Sequence, residues 1–237
     1  MTFRILSLLP VFIASLLAFP AGAEENRLEG PLQQIQDQWA EAFNHQPDER
    51  QVEQYEQLLP RVRALARAYP RRAEPLIVEA VILCTYAAAD WGLSSLTRLD
   101  DARALLIQSI DLDPKAMEAS AYITLGNLYY RLPGWPISYG DEKQALMYLE
   151  AAVRLYPHGL DSNYFLGDYW MQEGSYGKAL TYFERADLAP IRPNQRLSDE
   201  TIKQDLQKAL AASRQRQRSS GDFFSSLLPD FRDGKSR

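Results

Sequence analysis

Two stretches of the chain repeat one spacing of small, aromatic and proline residues. In the first, "AYITLGNLYY" leads to "QALMYLEAAVRLYP". There Tyr122, Leu125, Gly126 and Tyr129 precede Ala145, Leu149, Ala152 and Pro157. In the second, "NYFLGDYW" leads to "KALTYFERADLAP", and Asn163, Leu166, Gly167 and Trp170 precede Ala179, Phe183, Ala186 and Pro190. Steps of three and four place each set on one face of a helix. Each stretch therefore reads as two helices packed face to face. A small residue on either helix lets the axes approach, and leucines and aromatics fill the remaining space. The proline ends the second helix, because it lacks an N–H and disfavours helical geometry in the residue before it. Alternating valine, isoleucine and threonine runs bounded by Asn-Gly or Asp-Gly turns are absent, so no strand is expected.

Weaker copies lie upstream. "EPLIVEAVILCTYAAA", about 74–89, pairs with "DDARALLIQSIDLDP", in which Ala102, Leu106, Ser109 and Pro114 keep the second-helix spacing. Before it, "PLQQIQDQWAEAF" pairs with "ERQVEQYEQLLPRVRALARAYP" through Leu58, Val62, Leu65 and Pro70, with Pro60 expected to kink that helix or move its start. The pattern resembles the tetratricopeptide (TPR) repeat. The resemblance implies an all-α, right-handed superhelical solenoid of about four helix-turn-helix repeats, near 31–70, 74–114, 119–157 and 160–190. A capping helix over 198–215 closes the stack, with Ser198 as its N-cap and Thr201 where a capping box usually has Glu.

The first 23 residues read as a leader: Arg4, an apolar stretch from Ile5 to Phe19, and Ala21-Gly22-Ala23 as a small-x-small cleavage site. Cleavage after Ala23 predicts an exported, periplasmic protein without a lipobox cysteine and without a membrane span in the mature chain. The net charge is −5, and loss of Arg4 makes it more negative. That balance opposes nucleic-acid binding, which depends on phosphate neutralisation. Cys84 is the one cysteine and lies in an apolar helical run, so it reads as a core residue. His45 and His158 are too far apart in sequence to suggest a ligand set with it. No metal, cofactor or catalytic residue is expected: HExxH, GxSxG, a Gly-rich phosphate loop and CxxC are all missing. The protein is read as a non-enzyme.

Two inter-helix connections are long. Gly126 to Ala145 spans 19 positions and Cys84 to Ala102 spans 18, against 12 from Gly167 to Ala179. The extra residues include "DWGLSSL" and "RLPGWPISYGD". If both enlarge the turn, Trp91 and Trp135 share one edge of the stack, near Tyr139, Tyr130 and Tyr86. Pro133 and Pro136 stiffen the second turn, Gly134 and Gly140 permit unusual backbone angles, and Asp141 caps the next helix with Gln144 completing a capping box. Trp135 and Tyr139 then either cover helix ends or anchor a ligand or partner. The first helices also present a groove: Val78, Val81 and Thr85, then Ser120, Ile123, Asn127 and Tyr130, then Asp161, Tyr164, Asp168 and Met171. Asn127 sits where peptide-clamping members of the superfamily bind a carboxylate, but the accompanying lysines are absent. Asp161 and Asp168 favour a basic or neutral occupant.

The pairing of "SAYITLGNLYYRLPGWPISYGD" with "EPLIVEAVILCTYAAADWGLSSL" further resembles exported tetratricopeptide proteins related to the T-component of TRAP transporters. That resemblance implies association with a periplasmic solute-binding protein and a central pore for small ligands. Two functions are thus expected: a scaffold for protein–protein interaction, or an accessory of solute transport. Candidate binding residues are Trp91, Trp135, Tyr139, Tyr130, Asn127, Tyr164 and Asp168. A homo-oligomer stays open. The tail 216–237 carries Phe223, Phe224, Leu227, Leu228 and Phe231, read as a docking segment, a linear partner motif or a mobile end.

Overall fold

The computed structural model describes residues 21–90, 92 and 94–216, with side chains from Arg27 onward. The expected leader up to residue 20, Trp91 and the tail from 217 lie outside the described residues. The described residues are all-helical and hold no strand: α1 (Ala21–His45), α2 (Asp48–Ala68), α3 (Glu74–Ala89), α4 (Ser95–Leu112), α5 (Ala116–Arg131), α6 (Glu142–Leu155), α7 (Leu160–Gln172), α8 (Tyr176–Leu188) and α9 (Arg196–Arg214), with a 3-10 turn at Pro193–Gln195. None of these helices is long and apolar enough to cross a membrane.

Consecutive helices pair as hairpins, α1 with α2, α3 with α4, α5 with α6 and α7 with α8. The odd-numbered helices form an inner row: α1 touches α3, α3 touches α5, α5 touches α7 and α7 touches α9. α9 in turn reaches back to α1, so the row closes into a ring. Sequence composition follows this division. α3 is buried on nearly every side, from Leu76 to Ala87, because it packs against α2, α4, α1 and α5. α6 and α8 bury one stripe each, Ala145, Leu149 and Ala152 in one and Ala179, Phe183 and Ala186 in the other. The small inner residues act as expected. A Cβ on Gly126 would lie 2.6 Å from Leu149 Cγ, and one on Gly167 would lie 2.7 Å from Phe183. Each of α2, α4, α6 and α8 ends two positions before a proline: Pro70, Pro114, Pro157 and Pro190.

Several local expectations are corrected. The described part of α1, Ala21–His45, extends beyond the expected "PLQQIQDQWAEAF" segment and contains Pro31. α2 passes through Pro60 without its start being moved to it. α9 begins at Arg196, ahead of Ser198, and Ser198 is not its cap, because the preceding 3-10 turn leads directly into the helix. Asp141 does cap α6, its Oδ1 accepting from Lys143 N and Gln144 N at 2.8 and 3.0 Å. Gln144 has no return bond to make, since Asp141 N already donates to Tyr129 O at 2.9 Å. Neither Gly134 nor Gly140 has positive φ. Gly140 is needed for room, as a Cβ there would lie 1.8 Å from Leu132 O. Left-handed geometry appears instead where no glycine signals it, at Met117, Glu118 and Ala119, with φ of 48°, 54° and 62°.

Candidate functional site: the cavity inside the helical ring

A cavity of about 500 Å³ lies within the ring of inner helices. Each helix contributes one stripe at helical spacing: Gln36, Trp39 and Ala40 from α1, Val78 and Val81 from α3, Ser120, Ile123 and Asn127 from α5, and Asp161 and Phe165 from α7. Arg192, Asn194, Arg196 and Leu197 close it from the 3-10 turn and α9. The closure is bonded directly, Gln33 Nε2 donating to Asn194 O at 2.6 Å. Trp39 is fixed as a wall. Its ring stacks on Phe43 at 5.4 Å with an 8° interplanar angle, and its Nε1 donates to Thr85 Oγ1 at 3.1 Å. Cys84 also borders the cavity, and burial pushes its thiol up to about 12.

Arg192 organises one end of the cavity. Its backbone N donates to Asp199 Oδ2 at 2.7 Å, and its Nε and Nη2 grip the same carboxylate at 3.0 and 2.6 Å. Nη2 also donates to Asp161 Oδ2 at 2.8 Å, and Nη1 to Glu118 Oε2 at 2.9 Å. One guanidinium thus ties α5, α7 and α9 together. It also explains what Glu118 does in its left-handed turn. Burial works against the Arg192 charge, but Asp161 and Asp199 outweigh it and hold the group above its ordinary range. Asp161 goes the other way: burial raises its carboxyl above the usual value of 3.8, and Asp199 and Glu118 add to the rise against the pull of Arg192. Its Oδ1 is buried and has no hydrogen-bond partner among the described residues.

The sequence-predicted candidates do not converge. Asn127 borders the cavity, as do Val78, Val81, Ser120, Ile123 and Asp161. Tyr164 does not; it is core, 1% exposed, packed on Phe165 and Phe183. Asp168 is buried beside Arg131 Nη2 at 3.6 Å and accepts from Gln172. Tyr130 is buried and donates to Glu173 Oε1 at 2.9 Å. Met171 is core and lies 3.6 Å from Ser213 Oγ of α9. The groove is therefore narrower than its sequence register implied, because α9 covers the α7 end of it.

The long connections also differ from one another. Between α3 and α4 the additional residues mostly extend α4 at its start, which lies at Ser95, while α3 ends at Ala89. Between α5 and α6 they form a true loop, 132–141. Trp91 lies outside the described residues. Tyr139 folds back, its OH donating to Leu99 O at 3.1 Å and its ring meeting Tyr129 edge-on at 5.4 Å, with Arg103 over it at 5.0 Å. Burial raises its phenol. Trp135 does not fold back: it is 90% exposed, and neighbouring Ile137 is 68% exposed. Covering a helix end is thus the role of Tyr139 and not of Trp135.

Sequence reading missed Trp39, Arg192, Glu118 and Asp199. Pro190 and Pro193 flank Arg192 in a short connection, and that is the one local sign of a fixed arginine there. No family model matches the chain. Among the described residues, no group of three or more His, Cys, Asp and Glu side chains is arranged to hold a metal ion.

Proposed function

We propose that the chain is an exported, non-enzymatic binding module, built as a tetratricopeptide solenoid of about four repeats and a cap, that takes a small ligand into its helical ring as an accessory of solute transport. The observation that carries this reading is the cavity. Its volume of about 500 Å³ falls in the range of roughly 300–1,000 Å³ usual for small-molecule sites. Its walls are mainly apolar, with a few fixed polar groups to orient a ligand. The return of α9 to α1 favours a small molecule over a partner helix as occupant of the concave side. Native mass spectrometry of protein purified from its own cell extract tests the reading. A bound small molecule, lost in Ser120→Phe because the ring blocks the cavity, is the expected result. A cavity that stays empty across periplasmic solutes and extract would sink it.

A second reading rests on Trp135 and Ile137. Large apolar side chains this exposed on a braced loop suit a protein partner, such as a periplasmic solute-binding protein. Trp135→Ala is expected to change stability by no more than about 0.5 kcal/mol, as for a surface substitution, while abolishing capture of a partner from periplasmic extract. Capture by the variant at full yield would remove the loop from consideration.

A further inference from the structure

We propose that the cavity selects an organic cation, a ligand with an apolar body and one ammonium-type group, over its isosteric anion. This deepens the small-ligand reading and rests on it. The apolar body is met by Trp39, Val81, Ile123 and Phe165. The charge preference comes from a balance that the protein leaves unsettled. Two arginines border the cavity, and both are already committed. Arg196 Nε donates to Glu200 Oε1 at 2.7 Å. Arg192 faces three carboxylates, those of Asp161, Asp199 and Glu118. Asp37 also borders the cavity, and it accepts from the neutral amide of Gln33 at 2.8 Å. Among the lining residues the carboxylates of Asp37, Glu41, Asp161 and Glu200 outnumber the two arginines, so the wall holds more negative than positive charge.

Asp161 concentrates that excess. It spends one oxygen on Arg192 and leaves Oδ1 buried and unbonded. An acceptor in that condition costs free energy that a donor can recover. A field set up by low-dielectric walls acts more strongly on a ligand than the same charges would in water. A cation gains from both the field and the unused oxygen, an alcohol gains only from the oxygen, and a carboxylate is repelled.

Three probes of matched shape separate these outcomes: 1-octylammonium, 1-octanol and octanoate, titrated calorimetrically into the full-length protein near neutral pH. Octylammonium is expected to bind at least about tenfold more tightly than octanoate, with octanol between them, the scale of one charge-assisted contact. Asp161→Asn is expected to remove most of the octylammonium advantage while leaving octanol within about threefold. Ser120→Phe, which fills the cavity without touching the charges, should remove all three. Octanoate binding as tightly as octylammonium overturns the proposal while leaving a ligand cavity. So does an advantage that survives Asp161→Asn. Failure of all three probes to bind the unaltered protein counts against both the preference and the cavity reading beneath it. The comparison on the unaltered protein decides the preference even where Asp161→Asn is too unstable to titrate.

Discussion

Arg192 shows how much one buried side chain can organise. It is 13% exposed and grips helices that approach from three directions. Removing it leaves Asp199, fully buried, and Asp161 without their counter-charge. Arg192→Met is therefore expected to cost about 3–5 kcal/mol, the range for breaking a buried pair from one side, measured by urea unfolding. A loss below about 1 kcal/mol, the level of an exposed pair, would show that the cluster contributes little. Asp161 gives the same cluster a pH signature. Its folded carboxyl titrates above 3.8 because of burial. Below 3.8 both folded and unfolded states hold the proton, and stability is lost as pH rises through the folded value. Asp161→Asn carries no such charge, so its stability relative to the unaltered protein should improve as pH rises from 3.8. A gap that is constant with pH would contradict this. Cys84 offers a simpler check. With its thiol near 12, its thiolate fraction near pH 8 is about a thousandfold below that of an ordinary cysteine. Iodoacetamide should modify it at an appreciable rate only once the protein is unfolded.

Two of the helix pairs, α5 with α6 and α7 with α8, owe their close spacing to a glycine each. Gly126→Ala and Gly167→Ala each place a methyl within 3 Å of a packed side chain on the facing helix. Each is expected to destabilise by about 1–3 kcal/mol, as overpacking does. The change is measurable as a lowered denaturation midpoint, and an unchanged midpoint would mean that Leu149 or Phe183 moves aside freely. These positions were legible because their reason is local and periodic. A glycine with an aromatic three places on, alanines seven places apart in the second helix and a terminal proline recur at fixed steps, so the α3 limits and the ends of α4, α6 and α8 follow from the pattern. Three features were not legible, for different reasons. Several of the extra residues between Cys84 and Ala102 lengthen α4 from Ser95 because nothing in "SLTRLD" stops a helix. The left-handed turn at Met117–Ala119 carries no glycine or asparagine to announce it. The burial of Asp168 and Tyr164 depends on neighbours distant in sequence, which no spacing within α7 can reveal.

The ring as a whole decides what the cavity can admit. Five inner helices surround it, and four of their junctions are backed by outer helices or consecutive hairpins. The fifth, between α1 and α9, joins the two ends of the described chain. There Gln33 bonds to Asn194, and among the described residues no outer helix spans the joint. Local opening is expected where apolar burial is least and hydrogen bonds are solvent-exposed. The α1–α9 seam meets that description, since its Gln33–Asn194 hydrogen bond is exposed and the apolar burial of α9 is one stripe, Ile202, Leu206, Ala209 and Leu210. The buried pairing of α3 with α4 does not. A ligand that enters the cavity should therefore pass the seam and tighten it on binding. Hydrogen exchange with and without saturating 1-octylammonium should show slowed amides in α1, Pro193–Gln195 and α9, and little change in α3 and α4, which are already protected. Slowing confined to α3–α6, with α9 unaffected, would place the entry elsewhere and leave the α9 closure as a fixed part of the wall.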